Sequence, residues 1–410
     1  MHPLILFYTF TYNTKWYNTN SYNYSNMKKS PFSYGSTVSA HAFTNREAEA
    51  AKLQSNLLNG INTTIISPRR WGKSSLVETV MAGISKKDKK TKTVIIDLFS
   101  TSNEEEFLET FAREVIKASS SKWQEWMSSG KEFFNKLIPK LSLGIEPNTD
   151  FSLSFDWHEL KKYSDEVFNL PEIIARKKGV KFIICLDEFQ NLSSFTGFLS
   201  FEKKLRACWQ RHKLVTYCLY GSKRHMMTNI FNNPSKPFYR FGDIMLLQKI
   251  ETHKWVSFIV KCFSNSGKLI DEKTAGKIPL LMKNHSWYVQ QLAHYTWNLT
   301  TRKATIAEIE TALTELINAN MPLYQNETEY ISHTQLNLLK AVAKGETQFT
   351  SAAVMQKHQL GTPRNVSKNK TLLINNDLIH EINNVFEFVD PAFELWFKKQ
   401  FFGQSYSLLQ

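Results

Sequence analysis

Short apolar runs alternate, through the first half of the chain, with longer stretches in which apolar residues recur every third or fourth position. The runs are Thr63-Thr64-Ile65-Ile66, Thr93-Val94-Ile95-Ile96-Asp97-Leu98, Lys181-Phe182-Ile183-Ile184-Cys185-Leu186-Asp187, and Leu214-Val215-Thr216-Tyr217-Cys218-Leu219-Tyr220. Continuous runs of this length predict parallel strands buried on both faces. The periodic stretches predict helices. One runs through Leu53, Leu57 and Leu58 behind a cap at Thr44 or Asn45, and a second through Leu76, Val77 and Val80 ends in the lysine-rich turn Lys86 to Lys90. A third carries Phe107, Leu108 and Phe111, and a fourth carries Val167 and Ile173-Ile174 and stops near Gly179. Strand and helix in alternation predict a doubly wound α/β sheet.

Between these, residues 119–155 break the rhythm. They hold Trp123, Trp126, Phe133 and Phe134, then an alternating run Phe151 to Phe155 that predicts an exposed strand or hairpin arm, so the segment reads as an insertion. From Thr252 to Leu316 the period is helical, with Trp255, Phe258, Ile259, Phe263, Val289, Leu292 and Trp297 at core spacing. A linker is expected around Ala319-Asn320-Met321-Pro322. Three helices follow, beginning at Ser332, at Thr350, and at Thr362 with Pro363 in its first turn. Leu378 to Phe388 predicts a hairpin around Asn383-Asn384, and Asp390-Pro391 opens a closing helix. The expected division is an extension at 1–30, an α/β core at 31–250, a helical unit at 251–320, a last unit at 321–402 and a tail at 403–410. Residues 1–26 hold five Tyr, five Asn, one Lys and no acid, without periodicity; they read as a disordered or spurious extension, with Met27 as the alternative start.

Composition narrows the class. Apolar residues at 42% and charged residues at 21% describe a globular chain, and 410 residues exceed one ordinary core. No apolar run is long enough to span a membrane, and Leu4-Ile5-Leu6-Phe7 lacks a basic flank and a cleavage site, so the cytoplasm is expected. Cys185, Cys208, Cys218 and Cys262 lack metal-ligand spacing and read as free thiols in a reducing compartment. The net charge of +14 suits an anionic partner or a solvated lysine surface, but residues 321–410 hold eight basic and eight acidic side chains, so the excess lies upstream.

The candidate chemistry sits where the first strand turns into a helix, at Ser67-Pro68-Arg69-Arg70-Trp71-Gly72-Lys73-Ser74-Ser75. A helix N-terminus offers unpaired N–H groups and a positive dipole end, both favouring an anion. Gly-Lys-Ser at that point is the core of a phosphate-binding loop. Pro68 to Ser75 would wrap the phosphates of ATP or ADP, Lys73 would reach the β- and γ-phosphates, and Ser74 would ligate Mg²⁺. Ser67 stands where the pattern opens with glycine; Gly72 remains where backbone approaches phosphate most closely. Taken alone, the tripeptide is also compatible with a surface turn. The third strand supplies the companion: apolar residues ending in Asp187-Glu188 form a Walker B pattern, Asp187 holding Mg²⁺ and Glu188 acting on the attacking water. Adjacent carboxylates stay ionised together only beside a cation, which implies Mg²⁺. The fourth strand closes on Gly221-Ser222-Lys223-Arg224, placing Ser222 and Arg224 beside the γ-phosphate, with a plain turn serine as the alternative. Arg211 or Arg240 would serve as an arginine finger across a subunit contact, or either is an ordinary surface residue.

These residues carry a resemblance. Phe43-Thr44-Asn45-Arg46-Glu47, Ser67 to Leu76 and Leu186-Asp187-Glu188-Phe189-Gln190 resemble the archaeal-type ATPase family within the AAA+/STAND group of P-loop proteins, over Pro31 to Phe402. Arg69 and Arg70 match its paired arginines before Gly-Lys-Ser/Thr. Asn45 stands where many members have glycine, and Asn284 to Leu292 resembles a Gly-His-Pro-Tyr-Tyr-like lid segment with Ser286 in place of proline. The resemblance implies a RecA-like P-loop NTPase core with a parallel sheet, a helical lid and a C-terminal winged helix. It further implies an ATP-hydrolysing switch that couples nucleotide state to lid and winged helix, with self-association or a protein partner as its output. DNA contact through Arg364, Lys368 and Lys370 is the alternative. The neutral charge of 321–410 disfavours it, because non-specific DNA affinity is largely electrostatic. Val385-Phe386-Glu387-Phe388 reads as packing surface, and no acceptor-binding motif supports a kinase.

Overall fold

The computed structural model describes residues 29–35, 45–119, 142–144, 152–154, 164–382 and 385–404. Expectations on residues 1–26, Phe43, Thr44, Trp123, Trp126, Phe133, Phe134 and the Asn383-Asn384 turn lie outside the described residues.

The first half folds as β1 (Thr63–Ile66), β2 (Thr91–Asp97), the antiparallel pair β3 (Ser142–Gly144) and β4 (Ser152–Ser154), then β5 (Lys181–Asp187), β6 (Val215–Gly221) and β7 (Asp243–Leu246). Five of these make one parallel sheet in the order β2-β5-β6-β1-β7. Helices cover both faces. Leu53 and Leu57 of α1 (Glu47–Leu58) and Leu76, Val80 and Ile84 of α2 (Lys73–Lys87) bury against Ile183, Cys185, Cys218 and Tyr220. On the other face α3 (Glu104–Ser119), α4 (Ser164–Lys178), α5 (Phe198–Trp209) and α6 (Arg224–Asn232) pack on Ile184, Leu186, Tyr217 and Leu219. The alternation of β5 and β6 residues between the two cores is why apolar side chains run almost unbroken along both strands.

Three expectations need correction here. β2 is an edge strand whose burial alternates, with Ile95 39% exposed, so it is not covered on both faces. β7 is absent from the sequence reading because four residues opening on an acid carry too little pattern; its pairing with β1 makes it a strand. The N-cap position of α1 is held by Arg46, without a side-chain cap hydrogen bond, rather than by Asn45, which takes a left-handed conformation while its N–H donates to Glu47.

The second half is helical: α7 (Thr252–Asn265), α8 (Glu272–Leu281), α9 (Ser286–Leu299) and α10 (Ile306–Glu329) form the lid. The winged helix follows as α11 (His333–Ala343), α12 (Ala352–His358), α13 (Pro363–Asn375), the hairpin β8 (Ile379–Ile382) and β9 (Val385–Phe388), and α14 (Pro391–Phe402). Ser332 caps α11 in a reciprocal box with Gln335, and Thr362 and Asp390 cap α13 and α14 ahead of a first-turn proline. The linker expected around Ala319–Pro322 is instead the middle of α10. A proline inside a helix usually breaks it. Here Leu316 and Ile317 before it and Tyr324 after it all bury in one core, which the lid and winged helix share. Phe32, ahead of the α/β core in sequence, inserts into that same core against Phe258 and Phe263. No helix among the described residues is long and apolar enough to cross a membrane.

Candidate functional site

All five sheet strands run the same way, so their carboxyl ends share one edge. Because β6 lies between β1 and β5, the loop after β1, the acids ending β5 and Gly221-Ser222 become neighbours there. Arg70 and Gly72 both adopt left-handed backbone (φ 64° and 88°), and α2 begins at Lys73. Lys73 is buried, with Nζ 3.5 Å from Asp187 Oδ1 and 3.6 Å from Glu188 Oε1. Ser74 Oγ donates to Asp187 Oδ2 at 2.8 Å. Burial raises the Asp187 carboxyl against the pull of Lys73 and Ser74, and the charge of Glu188 adds to the rise. Burial pushes Glu188 the same way, but Lys73, Gln190 and Ser222 together hold it below its ordinary value.

Glu188 is held by backbone as well as side chains. Its own φ is 51°, and a 3₁₀ turn at Phe189–Ser194 folds Gln190 back so that Nε2 donates to Glu188 Oε2. Ser222 donates to that oxygen twice, from Oγ at 2.8 Å and from N at 3.2 Å. Gly221 makes this approach possible: a Cβ there would lie 1.9 Å from Gln190 Oε1. Gln190 was not among the expected site residues, since a glutamine two places after an acid signals nothing until the turn forms.

A cavity of about 320 Å³ opens at the N-terminus of α2. Gly72, Lys73, Ser74 and Ser75 form one wall, with Arg70 beside them; Ser286, Trp287 and Gln290 of α9 and Ser33, Tyr34 and Gly35 form the other. Ser33 N donates to Gln290 Oε1 at 3.3 Å, and the Tyr34 ring lies 6.1 Å from Trp287 and 5.2 Å from His294. The segment 29–35 thus joins the loop to the lid, a role its short sequence does not announce.

The remaining expected residues face the other units. Arg70 Nη1 donates to Tyr288 Oη at 3.0 Å and its guanidinium lies 4.7 Å over the Trp287 ring. Arg69 pairs with Asp377 of the winged helix at 3.2 Å and its Nε donates to Ser222 Oγ at 3.4 Å. Trp71 is buried, its ring edge-on to His285 of the lid and His380 of the wing, while its carbonyl accepts from the buried Arg46, another residue without an assigned role in the sequence reading. Pro68 and Arg224 line a different cavity, of about 490 Å³, between core and winged helix. Arg224 donates from Nη1 to the Glu381 carbonyl at 3.4 Å, so of the pair expected beside the γ-phosphate only Ser222 adjoins the acids. Arg211 and Arg240 are exposed, the latter stacked on Tyr239. Arg364 and Lys368 stand exposed on α13, whereas Lys370 lies 4.9 Å over the ring of Phe386, which is buried like Phe388.

No curated protein matches the sequence. A family model described as "Probable winged helix domain" matches residues 322–399. Among solved structures, the Walker-type ATPase of Pyrococcus abyssi is similar at a TM-score of 0.62 and 18% identity, over 88% of this chain and 97% of that one. The ORC2 protein of Aeropyrum pernix, solved as ADPNP–ADP complexes, is similar at 0.54 and 13% identity, over 85% and 90%. The chain therefore has the fold of these archaeal ATPases, a P-loop NTPase core followed by a helical lid and a C-terminal winged helix.

Proposed function

We propose that the chain binds ATP with Mg²⁺ at the loop Pro68 to Ser75 and hydrolyses it, and that nucleotide state sets the positions of lid and winged helix. The observation that carries this reading is the convergence of Lys73, Ser74, Asp187, Glu188 and Ser222 from the ends of three parallel strands. The cavity beside them has the size of a small-ligand site. In this reading Lys73 leaves its contacts with the acids for the β- and γ-phosphates, and the backbone of Arg70 to Ser75 encloses the anion. Ser74 Oγ and Asp187 are hard oxygen donors 2.8 Å apart, which suits Mg²⁺, and the ion would supply charge neutralisation at the phosphates. Glu188 then takes the proton of the attacking water, and Ser222 and Gln190 aim it. Tyr34, Trp287 and Gln290 close the far side and exclude solvent.

Arg70 and Arg69 tie this loop to the lid and winged helix, so a phosphate that pulls on either biases both units. The ADPNP and ADP complexes of the similar ORC2 protein support nucleotide as the ligand. Self-association would add Arg211 or Arg240 of a second copy, both exposed here. Four free thiols suit a reducing compartment such as the cytoplasm.

Lys73→Ala should lose binding of a fluorescent ATP analogue, and Glu188→Gln should keep binding while losing phosphate release. Equal analogue affinity of Lys73→Ala and wild type would sink the assignment. Exposure of Arg364 and Lys368 on α13 favours DNA contact as a second reading. Duplex binding that weakens steeply with salt and is lost in Arg364→Ala would support it.

A further inference from the structure

The positive charge of the chain has a place in the fold. At the amino ends of the sheet strands, segments 86–92, 115–119, 176–181 and 211–213 carry twelve Lys and Arg against one acid, Asp88. That is an excess of eleven positive charges, against +14 for the whole chain. Backbone pairing holds the segments side by side: Lys181 N–H donates to the Lys90 carbonyl at 3.0 Å, and Phe182 N–H to the Leu214 carbonyl at 2.9 Å. α2, α3 and α4 all end on this edge. The length of β5 separates Lys181 from Asp187, which puts this face about 20 Å from the candidate nucleotide site.

Asp88 and Glu172 leave most of the excess standing. Asp88 bends its carboxylate onto its own turn, accepting from Lys90 N at 2.9 Å and Thr91 Oγ1 at 2.7 Å. Glu172 is buried and accepts from Arg176 Nε and from the backbone N–H groups of Lys213 and Leu214. Lys178 shows the crowding: burial, and then the charges of Lys92 and Lys177, push its ammonium below its ordinary value. Helix ends account for part of the cluster, since a base in the last turn complements the dipole, as at Lys86, Lys87, Lys117 and Arg176. Lys89, Lys90, Lys181, Arg211 and Lys213 are exposed and lie outside the helices, so no dipole accounts for them.

The bases form two rows across the sheet edge. Lys90 and Lys181 line a cavity of about 260 Å³ with Leu57 and Leu58 of α1, while Lys92, Lys177 and Lys178 cluster at the end of α4 on the other face. Rows on opposite faces of one sheet lie on the order of 20 Å apart, two helix–sheet spacings of about 10 Å. That spread suits phosphates on both strands of a duplex. Lysine ammoniums are point charges that meet phosphate and carry no base readout. Apart from the half-buried His212, these segments hold no aromatic ring on which single-stranded bases could stack. Acceptors for a ribose 2′-hydroxyl are equally scarce, which favours DNA over RNA. None of the segments exposes a large apolar side chain, and Leu58 at the cavity is far short of the apolar face that enters a bilayer.

We propose that the amino edge of the sheet is a sequence-independent surface for double-stranded DNA. It holds the phosphates through lysine, at the end of the sheet away from Lys73, and makes the α/β core, not the winged helix, the part that meets DNA. The proposal does not depend on the reading of the nucleotide site.

The test follows the anisotropy of a fluorescent DNA duplex with the full chain, without nucleotide, as NaCl rises. Affinity should fall about 10³-fold or more between about 50 and about 200 mM salt, as for six or more phosphate contacts, and a duplex of scrambled sequence should bind alike. Lys89→Gln/Lys90→Gln/Lys181→Gln/Lys213→Gln should lower the slope of log affinity against log salt by about 3–4 and weaken binding at least about tenfold in about 0.1 M salt. If that variant melts early, Arg211→Gln/Lys213→Gln gives the same readout, with a slope lower by about 2. Arg364→Ala/Lys368→Ala should bind as wild type does. Absence of duplex binding by the wild-type chain, a wild-type slope in the lysine variants, or loss confined to Arg364→Ala/Lys368→Ala would overturn the proposal. So would tighter binding to an RNA duplex or to vesicles of anionic phospholipid. No nucleotide enters the assay, so failure here leaves the ATP reading intact.

Discussion

Single side chains at the strand ends decide how firmly Glu188 is held. Gly221 is the tightest of them, because a Cβ would meet Gln190 Oε1 at 1.9 Å and Met227 Sδ at 2.8 Å. Gln190 is 1% exposed and Met227 fully buried, so neither has room to yield. Gly221→Ala should cost about 1–3 kcal/mol of stability, the range for overpacking, and should lower turnover by displacing the amide that holds Glu188. Thermal melts read the first effect and phosphate release the second; unchanged values in both would refute it. Arg70 behaves differently. It joins the loop to Tyr288 and Trp287 but fills no core, so Arg70→Ala should keep a cooperative melt while weakening the effect of nucleotide on lid protection from proteolysis. Unfolding of that variant would overturn the assignment. The grouping of Lys73, Ser74, Asp187 and Glu188 was legible in the sequence because their types and spacing follow a pattern at two strand ends. Gln190, Arg46 and Asp377 were not, since each acts through a partner that only the folded chain brings near.

At the scale of elements, hydrophobic period identified β1, β5, β6 and the helices α1 to α4 but not α5 or α6, and capping residues identified α11, α13 and α14. It could not show that α5 buries an acid. Glu202 is fully buried, and burial pushes its carboxyl up to about 7 against the pull of Lys236 and the backbone of Phe238. The folded chain thus keeps a proton that the unfolded chain releases near 4.5. Stability from that proton is complete below 4.5 and is lost as pH rises through 7. Glu202→Gln, neutral throughout, should outlast wild type by about 2 kcal/mol more at pH 8 than at pH 5. Denaturant titrations at the two pH values check the difference, and parallel pH curves for the two proteins would contradict it.

Across the whole molecule, the lid and the winged helix are one body. α10 runs through both, and Tyr324 near its end packs on Phe393 and Trp396 of α14. A chain ending at residue 320 should therefore bind a hydrophobic dye and lose its cooperative melt above the core transition; a fragment with the lid protected as in the full chain would disprove the shared core. The winged helix also docks on the α/β core through Lys249 and Glu387, 3.2 Å apart. His380 beside Glu387, and then Lys249, hold that carboxyl down to about 2 despite its burial. What the sequence determined by itself was the alternation of strands and helices, the Gly72-Lys73-Ser74 loop at a strand end and its Asp187-Glu188 companions, because period and local chemistry are properties of neighbours along the chain. Only the tertiary structure decided that β6 lies between β1 and β5, that Arg69 and Arg70 face the winged helix and the lid, and that Pro322 sits inside a helix. Those outcomes follow from which apolar faces bury together, a condition that no single stretch of the chain contains.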